Sequence, residues 1–220
     1  MNSELKKRII TSILLISFFT TMYIYSFIMI VGTIIISIIV WIEFYALISK
    51  IFKKKKLKDR LLKALYKTIS LLYLILLVYF IFSIEAYYPN LKSYLLYSVL
   101  VAVLSDIGGL VFGKTFKGKK LTKISPNKTI SGSIGSLVFS LILTPFFYDE
   151  LIYNNFLILP LITIMISIIS QLGDLFISLL KRNAKVKDTS NLLPGHGGFL
   201  DRVDGIIFAI PVGILLLTIF

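Results

Sequence analysis

A predominantly apolar stretch fills residues 8–49 and is broken only around residues 23–26. A helix needs about 20 apolar residues to cross the ~30 Å hydrocarbon core of a bilayer, so this stretch has room for two spans. Comparable runs follow at 68–88, 93–113, 130–148, 154–180 and 205–220. The run at 154–180 is overlong, so its C-terminal part is expected to emerge into the interface. The last run is short and contains Pro211, a residue that kinks helices. The predicted fold is an all-α polytopic membrane protein with about seven transmembrane helices. Composition agrees: 57% of residues are hydrophobic and only 16% charged, against roughly 25% charged in soluble domains. Lys6-Lys7-Arg8 resembles the start of a signal peptide, but no small-residue cleavage site interrupts the apolar stretch behind it. It is therefore expected to stay as a membrane anchor.

The net charge of +13 is explained by where the cations sit. Cytoplasmic loops carry an excess of Lys and Arg. With the N-terminus inside, the inside segments are 1–8, 49–67, 114–129 and 181–204, and they hold 23 of the 24 basic residues. The exception is Lys92, in an outside loop with Pro89 and Asn90; the other outside loop carries Asp149 and Glu150. The basic balance thus reports topology, and nucleic acid is not an expected partner. The run Lys53-Lys54-Lys55-Lys56, with Lys58, Arg60, Lys63 and Lys67, suits adhesion to an anionic leaflet, where each basic residue gains about 1 kcal/mol. The chain has no cysteine, which excludes disulfides and thiolate metal sites. No repeat or Gly/Ser-rich linker appears. Two regions are expected: membrane helices with the basic loop over 1–92, and a catalytic membrane region over 93–220.

Ionisable groups within spans are costly and mark function. Asp106 lies in the fourth span, about two turns before Lys114. Asp174, Ser178 and Lys181 are spaced i, i+4, i+7, which places them on one helical face. Glu43, near the lysine loop, is expected to snorkel or to pair locally. The segment 181–204 holds five basic residues, three carboxylates, three glycines and the chain's one histidine. Glycines let backbone N–H groups approach an anion closely, and Lys and Arg neutralise phosphates. Asp201 and Asp204, at i and i+3, are placed to share a hard cation, and such a set suits a metal–triphosphate site. A second inside segment, from Ser105-Asp106 through Lys114 to Ser125-Pro126-Asn127-Lys128-Thr129, again gathers small residues and lysines, and also reads as an ordinary positive loop.

These residues resemble the phosphatidate cytidylyltransferase (CDP-diacylglycerol synthase) family. Ser178, Lys181, Arg182, Lys187, Asp188, Ser190, Leu193, Pro194, His196, Gly197, Gly198, Asp201, Arg202 and Asp204 fill the specified positions of its signature. Gln171-Leu172-Gly173-Asp174 and the Ile124-Ser125-Pro126-Asn127-Lys128-Thr129 element are weaker matches, and the likeness covers about the second half of the chain. Ser190 stands where glycine is common, and Ile130 where an aromatic is.

The resemblance implies CTP and phosphatidic acid as substrates, CDP-diacylglycerol and pyrophosphate as products, and Mg2+ as cofactor, with allowance for a second, monovalent or divalent, cation. It implies Asp174 and Asp201 as metal ligands, followed by Asp204 and Asp106. Lys181, Arg182, Lys187 and Arg202 would contact phosphates, and Ser125, Lys128 and Thr129 would help hold lipid phosphate or triphosphate. Ser178, Gly197 and Gly198 join the substrate-binding set. Asp188 is either catalytic or a local ion-pair partner, and His196 either orients the turn or touches substrate. A homodimer is also implied, in a bacterial-type inner or cell membrane with the site on the cytoplasmic side. Two other readings remain: a CTP-dependent polyprenol or phytol kinase, and an ion-coupled transporter using Asp106 and Asp174.

Overall fold

The computed structural model describes residues 3–53, 56–122, 125, 128–151 and 156–220. Lys54 and Lys55 of the lysine run, and Ile124, Pro126 and Asn127 of the second motif, lie outside the described residues. The described chain is helical, with α1 (Ser3–Ile24), α2 (Ser26–Ile51), α3 (Leu57–Tyr87), α4 (Lys92–Phe116), α5 (Ile130–Ser140), α6 (Thr144–Leu151), α7 (Ile158–Asn183), α8 (Leu200–Val203) and α9 (Ile206–Ile219). Short 3-10 turns precede α4 and join α5 to α6. Among the described residues, seven stretches are long and apolar enough to cross a membrane, as the sequence predicts.

Boundaries differ from expectation where polar residues continue a helix. The third helix starts at Leu57 rather than at residue 68, because Lys, Arg and Leu are good helix formers and Asp59 sits in its first turn, where a negative charge is favoured. The fifth span continues through the 3-10 turn Leu141–Leu143 to Pro145, which suits the first turn of α6 because it needs no N–H donor there. The predicted break in the first apolar stretch falls at Tyr25, whose extended backbone separates α1 from α2.

The chain divides into two compact units, 1–89 with 180–202 and 90–179 with 203–220. In the first, α2 packs on both α1 and α3. Near the end of α2, Lys67 places its ammonium 3.0 Å from the centre of the Tyr45 ring, a favourable cation–π contact. In the second unit, α4 packs on α5 and on α9. Small residues set the α4–α5 approach: a Cβ at Gly108 would stand 2.6 Å from the Gly135 carbonyl oxygen, and one at Gly135 would overlap Phe112. With no hydrophobic force between helices in lipid, such close approach and interhelical hydrogen bonds supply the association. Ser136 Oγ accordingly donates to the Ser105 carbonyl at 2.7 Å, and Ser105 and Ser167 share a hydrogen bond at 2.8 Å. A buried core around Tyr97, Val101, Leu159, Ile162 and Ile166 completes this unit.

Candidate active site

The polar residues fall into two clusters, one in each unit. In the first unit, the loop after α7 is built by successive turns. α7 ends in a Schellman motif: Val186 N–H donates to the Lys181 carbonyl and Lys185 N–H to that of Arg182. Lys185 takes the left-handed conformation, φ +57°, that glycine usually fills. Leu193-Pro194-Gly195-His196 then forms a type II turn, with Gly195 at φ +76° and His196 N–H donating to Leu193 at 2.9 Å. Leu193 and Gly197 close it with a reciprocal backbone pair.

Asp201 is the hub of this loop. Its Oδ1 accepts from Lys181 Nζ at 2.7 Å, and its Oδ2 accepts from Thr189 N–H at 2.8 Å, Thr189 Oγ1 at 3.0 Å and Gly198 N–H at 3.0 Å. The Lys181 and Asp201 side chains are only 12% and 6% exposed. Removing one partner of such a buried pair costs about 3–5 kcal/mol, since the other charge is left uncompensated. Arg202 donates from Nε and Nη2 to the His196 carbonyl at 3.1 and 2.5 Å. The His196 ring meets Ser12 Oγ through Nε2 at 3.3 Å, while its buried Nδ1 has no hydrogen-bond partner among the described residues. Arg182, Lys187, Asp188 and Arg202 are exposed.

In the second unit, Lys128 forms an ion pair with Asp174. Ser178 Oγ donates to Asp174 Oδ1 at 3.3 Å. Ser133 donates to Gln171 Oε1 at 2.6 Å. Lys128 is held by backbone pairing: its N–H donates to the Ser125 carbonyl at 3.0 Å and its carbonyl accepts from Leu121 N–H at 2.8 Å. Thr129 is the N-cap of α5, its Oγ1 accepting from Gly132 N–H at 3.0 Å. Asp106 is exposed on α4, whereas Asp204 is buried, with Oδ1 accepting from Gly205 N–H at 3.0 Å.

The sequence reading missed Glu43. It was expected to snorkel or pair locally, but its side chain is buried and it accepts four hydrogen bonds from Thr189, Ser190, Phe199 and Leu200. The physical reason is that a carboxylate in an apolar helix needs donors, and the positions one turn away on α2, Ile39, Val40, Ala46 and Leu47, carry none in their side chains. The available signal was a lone Glu inside a span.

A magnesium ion prefers one or two carboxylates and completes its shell with water and phosphate oxygens. Among the described residues no group of three or more His, Cys, Asp or Glu side chains gathers around one point, so Asp106, Asp174, Asp201 and Asp204 do not form a cage. Asp174 and Asp201 nonetheless fit the ion as single hard-oxygen ligands, and each already holds a lysine ammonium as a cationic partner.

The helices and the two ion-paired clusters define a polytopic membrane protein with a folded polar loop. The chain belongs to the cytidylyltransferase family, whose model matches residues 1–220. It is 48% identical over 122 residues to the phosphatidate cytidylyltransferase of Staphylococcus haemolyticus, a match covering 54% of this chain and 46% of that protein. It is 42% identical over 132 residues to the Bacillus subtilis protein of the same name, covering 58% of this chain and 48% of the relative. The matched stretch spans about half the length of these relatives.

Proposed function

We propose that the chain transfers the cytidylyl group of CTP to phosphatidic acid, forming CDP-diacylglycerol and pyrophosphate. The observation that carries this reading is the loop from Lys181 to Arg202: it carries exposed Arg182, Lys187 and Arg202 together with a buried Lys181–Asp201 pair. The family match and the names of the relatives point to the same substrates.

In the proposed reaction a phosphatidate oxygen attacks the α-phosphorus of CTP in line, and the bond to the pyrophosphate oxygen breaks. Both reactants are anions, so the chain's task is to neutralise charge and fix orientation. Arg182 and Lys187 would screen the triphosphate. Arg202, with part of its guanidinium already tied to the His196 carbonyl, has donors left for a phosphate. Lys128, with Ser125 and Thr129 beside it, would bind lipid phosphate or triphosphate. Gly197, at φ +85°, and Gly198 keep the turn compact, and Ser178 supports Asp174. Asp174 and Asp201 are each suited to act as a single carboxylate ligand to magnesium, whose chemistry would be charge stabilisation of the departing pyrophosphate.

The positive-inside bias supports an N-terminus and a site on the cytoplasmic side of a bacterial cell membrane, where CTP is found. A homodimer is part of the same proposal. Incubating the purified full chain with labelled CTP, Mg2+ and phosphatidic acid in mixed micelles is expected to yield CDP-diacylglycerol and pyrophosphate. Release of CDP with a phosphorylated polyprenol instead, or no lipid-linked cytidylate at all, would overturn the reading.

A further inference from the structure

Glu43 sits in α2, within a stretch long and apolar enough to span a membrane, and its side chain is buried. A carboxylate offers about four lone-pair directions and no proton, and four donors converge on this one in a symmetrical way. Oε1 accepts from Ser190 Oγ at 2.5 Å and Phe199 N–H at 3.0 Å. Oε2 accepts from Thr189 Oγ1 at 2.9 Å and Leu200 N–H at 2.7 Å. Each oxygen therefore takes one hydroxyl and one backbone N–H.

The donors bracket a loop. Thr189 and Ser190 lie at its start and Phe199 and Leu200 at its end, with the Pro194–Gly198 turn between them. One carboxylate thus ties both ends of the excursion together. Thr189 Oγ1 also lies 3.0 Å from Asp201 Oδ2, so its one proton, shared between the two carboxylates, links Glu43 to the residue that pairs with Lys181. Gly198 is packed against this junction, where a Cβ would stand 2.7 and 2.9 Å from the two Glu43 oxygens.

We propose that Glu43 is a positioning residue for the reaction. From a membrane helix it holds the 189–200 loop in the shape that sets Asp201, Lys181 and Arg202. The inference rests on the proposed cytidylyl transfer for its kinetic consequence, but its structural half stands apart from it. Glu43→Gln keeps the size and removes the symmetry. Whichever way the amide is turned, one of the Phe199 and Leu200 N–H groups faces an NH2 donor instead of an oxygen, and a buried donor left unsatisfied is costly.

The test uses full-length protein in lipid nanodiscs, comparing wild type, Glu43→Gln, Glu43→Asp and Ser190→Ala. Amide exchange is read by mass spectrometry and turnover by CDP-diacylglycerol formation. In Glu43→Gln, Phe199 and Leu200 are expected to exchange roughly tenfold or more faster, with α4 and α5 amides unchanged. Its kcat is expected to fall about tenfold or more while the KM for CTP stays within about threefold. Ser190→Ala, which removes one donor only, should show the same pattern at about threefold. Glu43→Asp should recover part of the lost kcat.

Unchanged exchange at Phe199 and Leu200 in Glu43→Gln, or a kcat within about twofold of wild type, would overturn the proposal. So would faster exchange spread through α4 and α5, which marks a merely structural group. If Glu43→Gln does not accumulate, Ser190→Ala decides by the same two readings. A wild-type protein that forms no CDP-diacylglycerol would sink the proposed reaction, while the exchange comparison would still judge the clamp.

Discussion

Replacing Gly198 with alanine tests the loop at its tightest point. An alanine Cβ would overlap Thr189 Oγ1 and stand 2.7 and 2.9 Å from the Glu43 oxygens, well inside van der Waals contact. Thr189 Oγ1 cannot move aside freely, because it bonds to Glu43 at 2.9 Å and Asp201 at 3.0 Å. Displacing it far enough to admit the methyl breaks the bond that its one proton shares between these two carboxylates. Overpacking costs about 1–3 kcal/mol and a hydrogen bond to a charged group about 1.5–3 kcal/mol. Taking both near their lower ends, Gly198→Ala should destabilise the folded loop by about 3 kcal/mol. That lowers the intact-to-open equilibrium constant of the loop by roughly two orders of magnitude.

A double-mutant cycle isolates the cause. Thr189→Ala removes the overlapping oxygen, so Gly198→Ala should cost less in that background than in wild type. The rescue should be partial, because the contacts with Glu43 remain. The assay is the free energy of local opening from amide exchange at Phe199 and Leu200, with CDP-diacylglycerol formation as the functional readout. The expected coupling is about 1 kcal/mol or more, as for contacting residues. If the two substitutions add within ~0.5 kcal/mol, the overlap is not the source of the loss. If Gly198→Ala alone keeps full activity, the loop does not need this packing.

Lys181→Met should lower thermal stability by about 3 kcal/mol or more, because Asp201 loses its cation. Adding Asp201→Asn should restore part of that stability while turnover stays lost, as read by melting of the purified protein beside the CTP assay. Asp174→Asn should abolish turnover while leaving membrane insertion intact; near-normal magnesium-dependent activity would remove Asp174 from the proposed ligand set. Gly108→Leu should destabilise the α4–α5 contact by about 2 kcal/mol or more, since even a Cβ there meets the Gly135 carbonyl at 2.6 Å. Its yield and melting temperature from detergent extracts would measure the effect.

The helices were legible because apolar runs of spanning length have few alternatives, and Tyr25 falls where the first run was expected to break. The start of α3 was not, because hydropathy marks where a helix enters lipid and says nothing about a helix that continues into water. The residue types of the 181–204 loop were also legible, but their division of labour was not. Thr129 resembles a substrate contact by motif, and its hydroxyl also caps α5, a role of which the motif gives no sign. Glu43 was obscured for a different reason: its partners lie 146–157 residues away in the chain, and spacing along one helix carries no trace of them.

The contact with Glu43 gives a role to a residue that differs from the commoner one in the family pattern. Ser190 occupies a position where glycine is common, and here its hydroxyl donates to Glu43 at 2.5 Å while accepting from Leu192 N–H at 3.1 Å. A glycine there would leave Glu43 with three donors, so the serine adds a strut to the loop. The signature thus separates into two kinds of residue. Ser190 and Gly198, with the neighbouring Thr189, are engaged in shaping the loop, and their hydrogen-bonding capacity is directed inward, while Asp201 both anchors the loop and is a proposed metal ligand. Arg182, Lys187 and Arg202 are exposed and retain capacity for anionic reactants. If the proposed chemistry holds, substitutions in the first group should change kcat through loop order. Those in the second should change the KM for CTP or phosphatidic acid without disturbing amide exchange at Phe199 and Leu200.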